Sequence, residues 1–406
     1  MSRDLYRRVF LVSFLKRRFY ADRKELIMNE LRTGEAEDRA GGKLYLAFEL
    51  GNKEWKLGFT VGLGQKPRRR KVKAGDLAGL QKEIKLAQKR FRLGTRDRVM
   101  SCYEAGRDGF WLHRYLLAGG VENSVVDSAS IKVDRRAKRA KTDRLDLAEL
   151  LSMLIRSDWG EKKVWSVVHV PSVEAEDKRH LHRHLGTLKV DRTRHINRIK
   201  GLLVSQGVRL AVEADFLSQL EQVRLWDGQS LAPGLRRRLE REYAWLRYVS
   251  DQIEALEVER AELIQNGSEP ELELVRQLLR LKGIGPNSAW LFVMEFFGWR
   301  QFRNRRQVGG LAGLSPTPFQ SGDEAREQGI SKAGNRPVRS LAIEIAWSWL
   351  RNQPHSELSL WFQARFANGG KRMRKRGIVA VARKLLVALW RYLDYGELPA
   401  GAQLKP

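Results

Sequence analysis

The sequence predicts an α/β domain towards the N-terminus, followed by mainly helical structure. Three observations carry this expectation. Between residues 43 and 127, short β-prone runs give way to alternating helical and β-prone runs. From 173 to 267 the chain is charge-rich, glycine-poor and helical in period. From 270 onward, apolar residues recur mostly at helical spacing. The 406 residues include 76 Lys or Arg against 48 Asp or Glu, a formal net charge of +28, and 42% are hydrophobic. That composition belongs to folded domains, two or three at this length, and not to a disordered chain. No apolar run approaches the length of a membrane span. The early apolar stretch from Val9 to Leu15 is short, is broken by Ser13 and lacks a small-residue cleavage site. A single cysteine, Cys102, excludes an internal disulfide framework and a Cys-rich zinc site. A cytoplasmic protein with no membrane partner is expected, and the charge makes nucleic acid the first partner to consider.

Residues 1–42 read as a basic extension, with Arg3, Arg7, Arg8, Lys16, Arg17 and Arg18. Met28 is an alternative start within it, and a helical arm is the other reading. Residues 43–165 are expected to form the α/β domain. Residues 43–51 (KLYLAFELG) make an apolar strand ending at Glu49 and Gly51, and 54–62 alternate with Trp55, Leu57, Phe59 and Val61 on one face. Residues 67–73 make a basic third strand. Residues 76–91 make a helix capped by Asp76, with Leu77, Leu80, Ile84 and Ala87 at helical spacing. A fourth strand over 98–106 stops at Glu104. A glycine-closed helix over 110–120, a fifth strand over 121–127 and an amphipathic helix over 141–157 complete the domain. Three sequential strands followed by alternating units predict an antiparallel ribbon joined to parallel strands, with helices over the sheet. This order is also that of the RNase H-like (RuvC-like) fold.

Residues 173–267 are expected to form a helical or coiled-coil insertion. Ile196, Ile199, Leu202 and Leu203 make one seam, and Val249, Ile253, Leu256 and Leu263 a second with Arg260 as a polar interruption. The segment from Gly228 to Pro233 separates its two arms. Residues 270–395 form a compact helical domain, with a helix, a Gly-Ile-Gly turn and a helix over 275–296 and an apolar helix over 377–393; 396–406 are a tail.

Four features bear chemistry. The first is a set of carboxylates. Asp143 and Asp146, three apart, share a helix face, while Glu49 and Glu104 end the first and fourth strands. In an RNase H-like sheet those strands are neighbours and the helix after the fifth crosses them, so the four acids converge. Hard oxygen donors gathered in this way suit Mg²⁺, with Mn²⁺ as the alternative, for work on phosphate. The second feature is three basic tracts: 66–73 with Arg68, Arg69, Arg70 and Lys71; 132–144 with Arg135, Arg136, Lys138, Arg139 and Lys141; and 371–376 with Lys371, Arg372, Arg374, Lys375 and Arg376. Such tracts neutralise phosphate backbones. The third is the Lys282, Gly283 and Gly285 turn, whose backbone N–H groups suit an anion in the manner of a helix-hairpin-helix. The fourth is the polar segment 313–339, expected to be a long functional loop. It holds Ser315, Ser321 and Ser331 as candidate nucleophiles and Lys332, Arg336 and Arg339 as candidate phosphate ligands; the residues alone do not choose among the serines. His180, His182 and His184 lack an acid or Cys partner in their spacing and are not read as ligands. Cys102 is read as a buried structural thiol. Trp347, Trp349, Trp361 and Trp390 are read as core.

Taken in order, CYEAG with Glu104, AKRAKTDRLDLAEL with Asp143 and Asp146, LKGIGPNSA, LAGLSPTPFQSG and ISKAGNRPVR resemble the insertion-sequence one-hundred-ten family of transposases, over residues 43–395. The resemblance implies a RuvC-like DEDD domain, a coiled-coil arm and a C-terminal transposase domain. It implies Mg²⁺ on Glu104, Asp143 and Asp146 with Glu49 where the family usually has Asp, and Ser321 as the nucleophile that joins DNA. Glu54, beyond the strand, is the other acid nearby. The resemblance also implies an element-encoded guide (bridge) RNA pairing with target and donor DNA. It further implies a tetramer, a dimer of dimers, in which Ser321 of one copy meets the acids of another, acting at the bacterial nucleoid. The rival expectations are a RuvC-type junction nuclease that activates water with the same acids, and a non-catalytic RNA-binding protein.

Overall fold

The computed structural model describes residues 42–94, 96–131, 143–162, 164–321 and 324–405. They fall into two compact units, divided between Val170 and Pro171. The N-terminal extension with Met28, and the tract residues Arg135, Arg136, Lys138, Arg139 and Lys141, lie outside the described residues.

The first unit is a mixed five-stranded sheet built from β1 (Lys43–Leu50), β2 (Glu54–Thr60), β3 (Arg68–Lys73), β4 (Arg98–Glu104) and β5 (Glu122–Val126), in the order β3-β2-β1-β4-β5. β1 pairs antiparallel with β2 and parallel with β4. The central strand is apolar on both faces because both are covered. Leu44, Leu46 and Phe48 pack with Leu80 and Ala87 of α1 (Leu77–Arg90) and with Leu112 and Leu116 of α2 (Trp111–Ala118). The Asp76 side chain caps α1 by accepting from the Gly79 N–H at 2.8 Å. On the opposite face, Tyr45, Ala47, Cys102 and Val126 pack against Leu147, Leu150, Leu151 and Leu154 of α3 (Asp143–Asp158). Each of those leucines contributes about 2 kcal/mol of burial free energy. α3 is also fixed by polar contacts at its far end. Asp158 accepts hydrogen bonds from Lys43 Nζ at 2.8 Å and from the Tyr45 hydroxyl at 2.6 Å. The C-terminus of α3 therefore lies at the beginning of β1, and the helix runs back along the sheet towards the strand's end.

The second unit begins with the short α4 (Val173–Asp177) and contains a long helical hairpin of α5 (His180–Val204) and α7 (Pro233–Asn266). The two run antiparallel, since Lys189 meets Glu257 while Arg198 and His195 both meet Glu242. Ile199 and Leu203 pack with Leu239, Tyr243 and Leu246, and Leu185 packs with Val249 and Ile253. Two expectations change here. Leu263 joins the C-terminal core and not the seam. The connection between the arms is a cap and not a simple break: α6 (Phe216–Gln222) folds under it with Phe216 and Leu220 buried.

The remaining elements are α8 (Pro270–Leu279), α9 (Pro286–Phe292) continued by a π-turn at Val293–Phe297, α10 (Arg305–Leu311), α11 (Arg336–Asn352), α12 (Glu357–Phe366) and α13 (Lys371–Tyr395). α13 forms the spine of this core through Ile378, Val381, Ala382, Leu385, Leu386 and Leu389. Trp349 and Trp390 are buried as expected, but Trp347 is 38% exposed. It lies on the outer side of α11, with its ring 6.2 Å from that of Phe362.

The segment 313–339 is not an irregular loop. It contains an antiparallel ribbon of β6 (Pro316–Ser321) and β7 (Glu324–Ile330), with Ser321 paired to Glu324. Residues Gly322 and Asp323 form the two-residue sequence between them, a hairpin signal. No helix of the described residues is long and apolar enough to cross a membrane.

Candidate active site and nucleic-acid surface

Strand pairing sets the position of the first two acids. Phe48 stands opposite Tyr103 in the parallel β1–β4 register, so the next residues, Glu49 and Glu104, are neighbours at the same end of the sheet. Side chains alternate along a strand. Glu49 therefore shares the face of Tyr45 and Ala47, Glu104 that of Cys102, and both are on the side that α3 covers. From Asp158 back to Asp143 the helix rises about 22 Å, and from Lys43 to Glu49 the strand rises about 20 Å. The first turn of α3, with Asp143 and Asp146, thus reaches the end of the sheet where Glu49 and Glu104 stand. The backbone fixes this placement; the Asp143 and Asp146 side chains lie outside the described residues. Among the described residues no three metal-ligating side chains are gathered.

The surroundings distinguish these acids from their neighbours. Lys56 Nζ lies 3.8 Å from Glu49 Oε2, across the antiparallel pair. Glu54 opens β2 and is hydrogen-bonded by Lys71 at 2.7 Å, which holds its carboxyl below the usual range. Glu54 is thereby occupied on the opposite side of the strand order, at the β2–β3 pair. Cys102 is fully buried, and burial, with Glu104 adding to it, pushes its thiol up, so it is not a nucleophile.

The ribbon separates the three serines. Ser315 and Ser331 meet at its foot, where the Ser331 N–H donates to the Ser315 carbonyl at 2.9 Å. Ser321 is the last residue of β6, at the end of the ribbon away from the foot, and its side chain lies outside the described residues. The foot is closely built. Lys332 N–H donates to the Gly313 carbonyl and Asn335 N–H to the Leu311 carbonyl. Gly313 and Gly334 have φ of +69° and +99°, and a Cβ on either would collide with a carbonyl oxygen, of Ala333 or of Leu311. Here glycine is required twice, by conformation and by close backbone approach. Lys332 itself is left-handed at φ +55°. Arg336 is the first residue of α11, and Arg339 Nη1 donates to the Ala312 carbonyl at 3.3 Å.

Sequence reasoning missed Glu295. It lies in the π-turn, is 1% exposed, and accepts from Arg183 Nε at 2.6 Å and Asn335 Nδ2 at 3.3 Å, with His182 Nε2 at 3.0 Å. Burial resists its ionisation, but the His182 and Arg183 hydrogen bonds prevail and its pKa falls to about 2. Asn335 also caps α11 by accepting from the Val338 N–H. One carboxylate therefore ties the base of the helical hairpin to the foot of the ribbon. Nearby Arg300 stacks over Trp299 at 4.2 Å; burial, and then Arg179, lower its pKa to about 10. A π-turn was the available signal, but it is not readable from sequence.

The basic tracts differ in what they leave available. In β3, Arg68 and Arg70 both reach Glu83, and Lys71 reaches Glu54; Arg69 has no ion pair among the described residues and is half-buried. Lys371, Arg372, Arg374, Lys375 and Arg376 make the exposed first turns of α13. Four of them line a cleft of about 1470 Å³ together with Arg305, Arg306, Arg383, Lys384 and Arg391. Glu397 is the one acid among its lining residues, and the ribbon strands contribute Pro316, Gln328, Gly329 and Ile330 to its wall. The later cations of α13 follow the tract at intervals of seven or eight residues, the helical repeat that puts them on one face. The Lys282–Gly285 turn is engaged by the chain itself. Lys282 Nζ donates to Gln403 Oε1, Ser348 Oγ to the Gly283 carbonyl and Lys405 Nζ to the Ile284 carbonyl.

Residues 275–359 match the family model described as the transposase IS116/IS110/IS902 family. The chain is 42% identical over 377 residues to the putative transposase y4rJ of Sinorhizobium fredii, spanning 90% of this chain and 95% of that protein. It is 26% identical over 288 residues to the transposase for insertion sequence element IS1111A of Coxiella burnetii, spanning 70% and 75% of the two.

Proposed function

The chain belongs to the IS116/IS110/IS902 family of insertion-sequence transposases, and from that premise we propose that it is an RNA-guided DNA recombinase that works through a covalent phosphoserine intermediate. The observation that carries this reading is the common end and common face shared by Glu49, Glu104 and the first turn of α3. The strand order and the crossing of α3 support an RNase H-like domain. The acids fit Mg²⁺ or Mn²⁺: all are hard oxygen donors, two are neighbours in register, and their mutual repulsion calls for a cation. Glu49, Glu104, Asp143 and Asp146 would hold the ions, which when bound supply charge stabilisation at a phosphate and lower the pKa of a coordinated hydroxyl.

The chain's own part in the reaction follows. Ser321, at the far end of the ribbon, attacks phosphorus through Oγ. The Oγ–P bond forms, the bond from phosphorus to the 3′ oxygen breaks, the Oγ proton passes to solvent, and the departing oxygen takes up a proton as a free 3′-OH. The diester bond is exchanged and not hydrolysed, so the step is reversible without ATP. The basic cleft beside the ribbon, with its nine cations, binds the phosphate backbone of the DNA being exchanged, or of the guide RNA paired to it. Ser321 of one copy serves the acids of another, in a tetramer.

The test is a denaturing gel of labelled DNA incubated with protein, guide RNA and Mg²⁺. The wild type leaves protein attached to a 5′ end. Ser321→Ala leaves none while binding nucleic acid as before. Strand cleavage by the wild type with no attached protein would instead favour the water-activating nuclease. Omission of the RNA abolishes the adduct if guidance is correct.

A further inference from the structure

The exposed side of α7 carries a surface that the reaction above does not use. Trp245 and Tyr248 are 59% and 57% exposed, and their rings meet edge to face with centroids 6.2 Å apart. Arg237, Arg241, Trp245 and Tyr248 follow at intervals of four, four and three, which is one stripe of a helix. It lies opposite the buried stripe of Leu239, Tyr243, Leu246 and Val249 that faces α5. Arg238 and Arg247 flank the stripe and are also exposed. The acids of this stretch are already engaged. Glu240 is paired with Arg236 at 2.9 Å, and Glu242 with His195 and Arg198. The four other arginines have no carboxylate partner among the described residues.

We propose that this face of α7 is a binding site for unpaired nucleotides of a nucleic-acid strand. Two adjacent aromatic rings held in water on a rigid helix offer stacking platforms to bases, and guanidinium groups on either side suit the phosphates between them. A duplex hides its base faces and would make no use of the rings. A second copy of the chain fits poorly, because a two-fold contact through this face would gather both copies' sets of four unpartnered arginines into one interface, which like-charge repulsion opposes. The acidic continuation of the helix, with exposed Glu254, Glu259 and Glu262, opposes an anionic membrane lying along it. The site stands whether or not Ser321 is the nucleophile, so its failure would leave the reaction scheme untouched.

The experiment uses the full chain with Trp245→Ala and Tyr248→Ala combined; both side chains are exposed, and helix content should be unchanged by circular dichroism. Fluorescence anisotropy is read with oligouridylate and oligothymidylate of about twenty nucleotides and with a blunt DNA duplex of about the same length. Single-strand affinity should fall about tenfold or more while duplex affinity stays within about twofold. A fall for one oligonucleotide alone identifies whether RNA or DNA is the strand. Iodouracil photocrosslinks of the wild type should map to the tryptic peptides 242–247 and 248–260 that begin at Glu242 and Tyr248. A second variant, Arg241→Gln with Arg247→Gln, should weaken both probes and reduce the salt slope by about one to two. Unchanged single-strand affinity, crosslinks only elsewhere, or a change of molecular mass by light scattering in the aromatic variant would overturn the proposal; the last would assign the face to contacts between copies.

Discussion

Glu295 shows how one side chain can hold separate elements together. It is buried, ionised and shared by His182, Arg183 and Asn335. Replacing it with Gln removes the charge that the Arg183 guanidinium and the His182 ring face, and we expect a loss of about 2–3 kcal/mol near neutral pH. The pH dependence has a definite sign. The folded carboxyl is depressed from 4.5 to about 2, so its contribution is complete above the unfolded value and disappears as pH falls through the folded one. Thermal melting of wild type and Glu295→Gln should therefore differ most above pH about 4.5 and converge towards pH 2. A constant gap across that range would mean that packing and not charge sets the effect. The sequence concealed this residue because it lies in an apolar run, VMEFF, where a single acid reads as an exposed exception. Its partners come from 112 or 113 positions away on one side and 40 on the other.

At the scale of elements, the ribbon is a two-stranded structure, a kind that is barely stable alone. Its order comes from the foot. Gly313→Ala or Gly334→Ala should each cost about 2–4 kcal/mol locally, since both the left-handed φ and the carbonyl contact are lost. Limited proteolysis should then cut between 316 and 330 in the variants and spare the wild type; equal resistance would show that the crossing of backbones at the foot is not what orders the strands. The strands were not legible for a physical reason. Pro316, Pro318, Phe319 and Gln320 of β6 are exposed, so that strand lacks the alternation that a buried sheet face imposes, and its two prolines argue against a strand. β1, β2, β4 and β5, by contrast, were readable, because burial wrote itself into residues such as Leu44, Leu46, Phe48, Trp55 and Leu57. The acids were legible only as positions within those strands. Glu49 and Glu104 look ordinary until the parallel register sets them side by side. The cations of the cleft were legible in part: the tract at 371–376 stands out as a run, while Arg305 and Arg306 reach it only through tertiary folding.

For the molecule as a whole, the acids belong to one compact unit and Ser321 to the other. If one copy lends its serine to another's acids, two inactive variants should restore each other. Glu104→Gln and Ser321→Ala, each without adduct alone, are expected to regain a measurable fraction of wild-type adduct when mixed and allowed to exchange subunits, because some mixed assemblies then hold an intact serine opposite intact acids. No recovery after demonstrated exchange would place both halves of the site within one chain.

The direction of α3 has an electrostatic consequence. Lys43 and Tyr45 grip its tail through Asp158, so its head, with the partial positive charge that aligned peptide dipoles concentrate there, is turned towards the carboxylates at the strand ends. Asp158 is itself held ionised, because those two hydrogen bonds outweigh the burial that opposes its charge. The backbone therefore offsets part of the repulsion among the acids, and the side chains that preserve this arrangement stand about 20 Å away, at the other end of the helix.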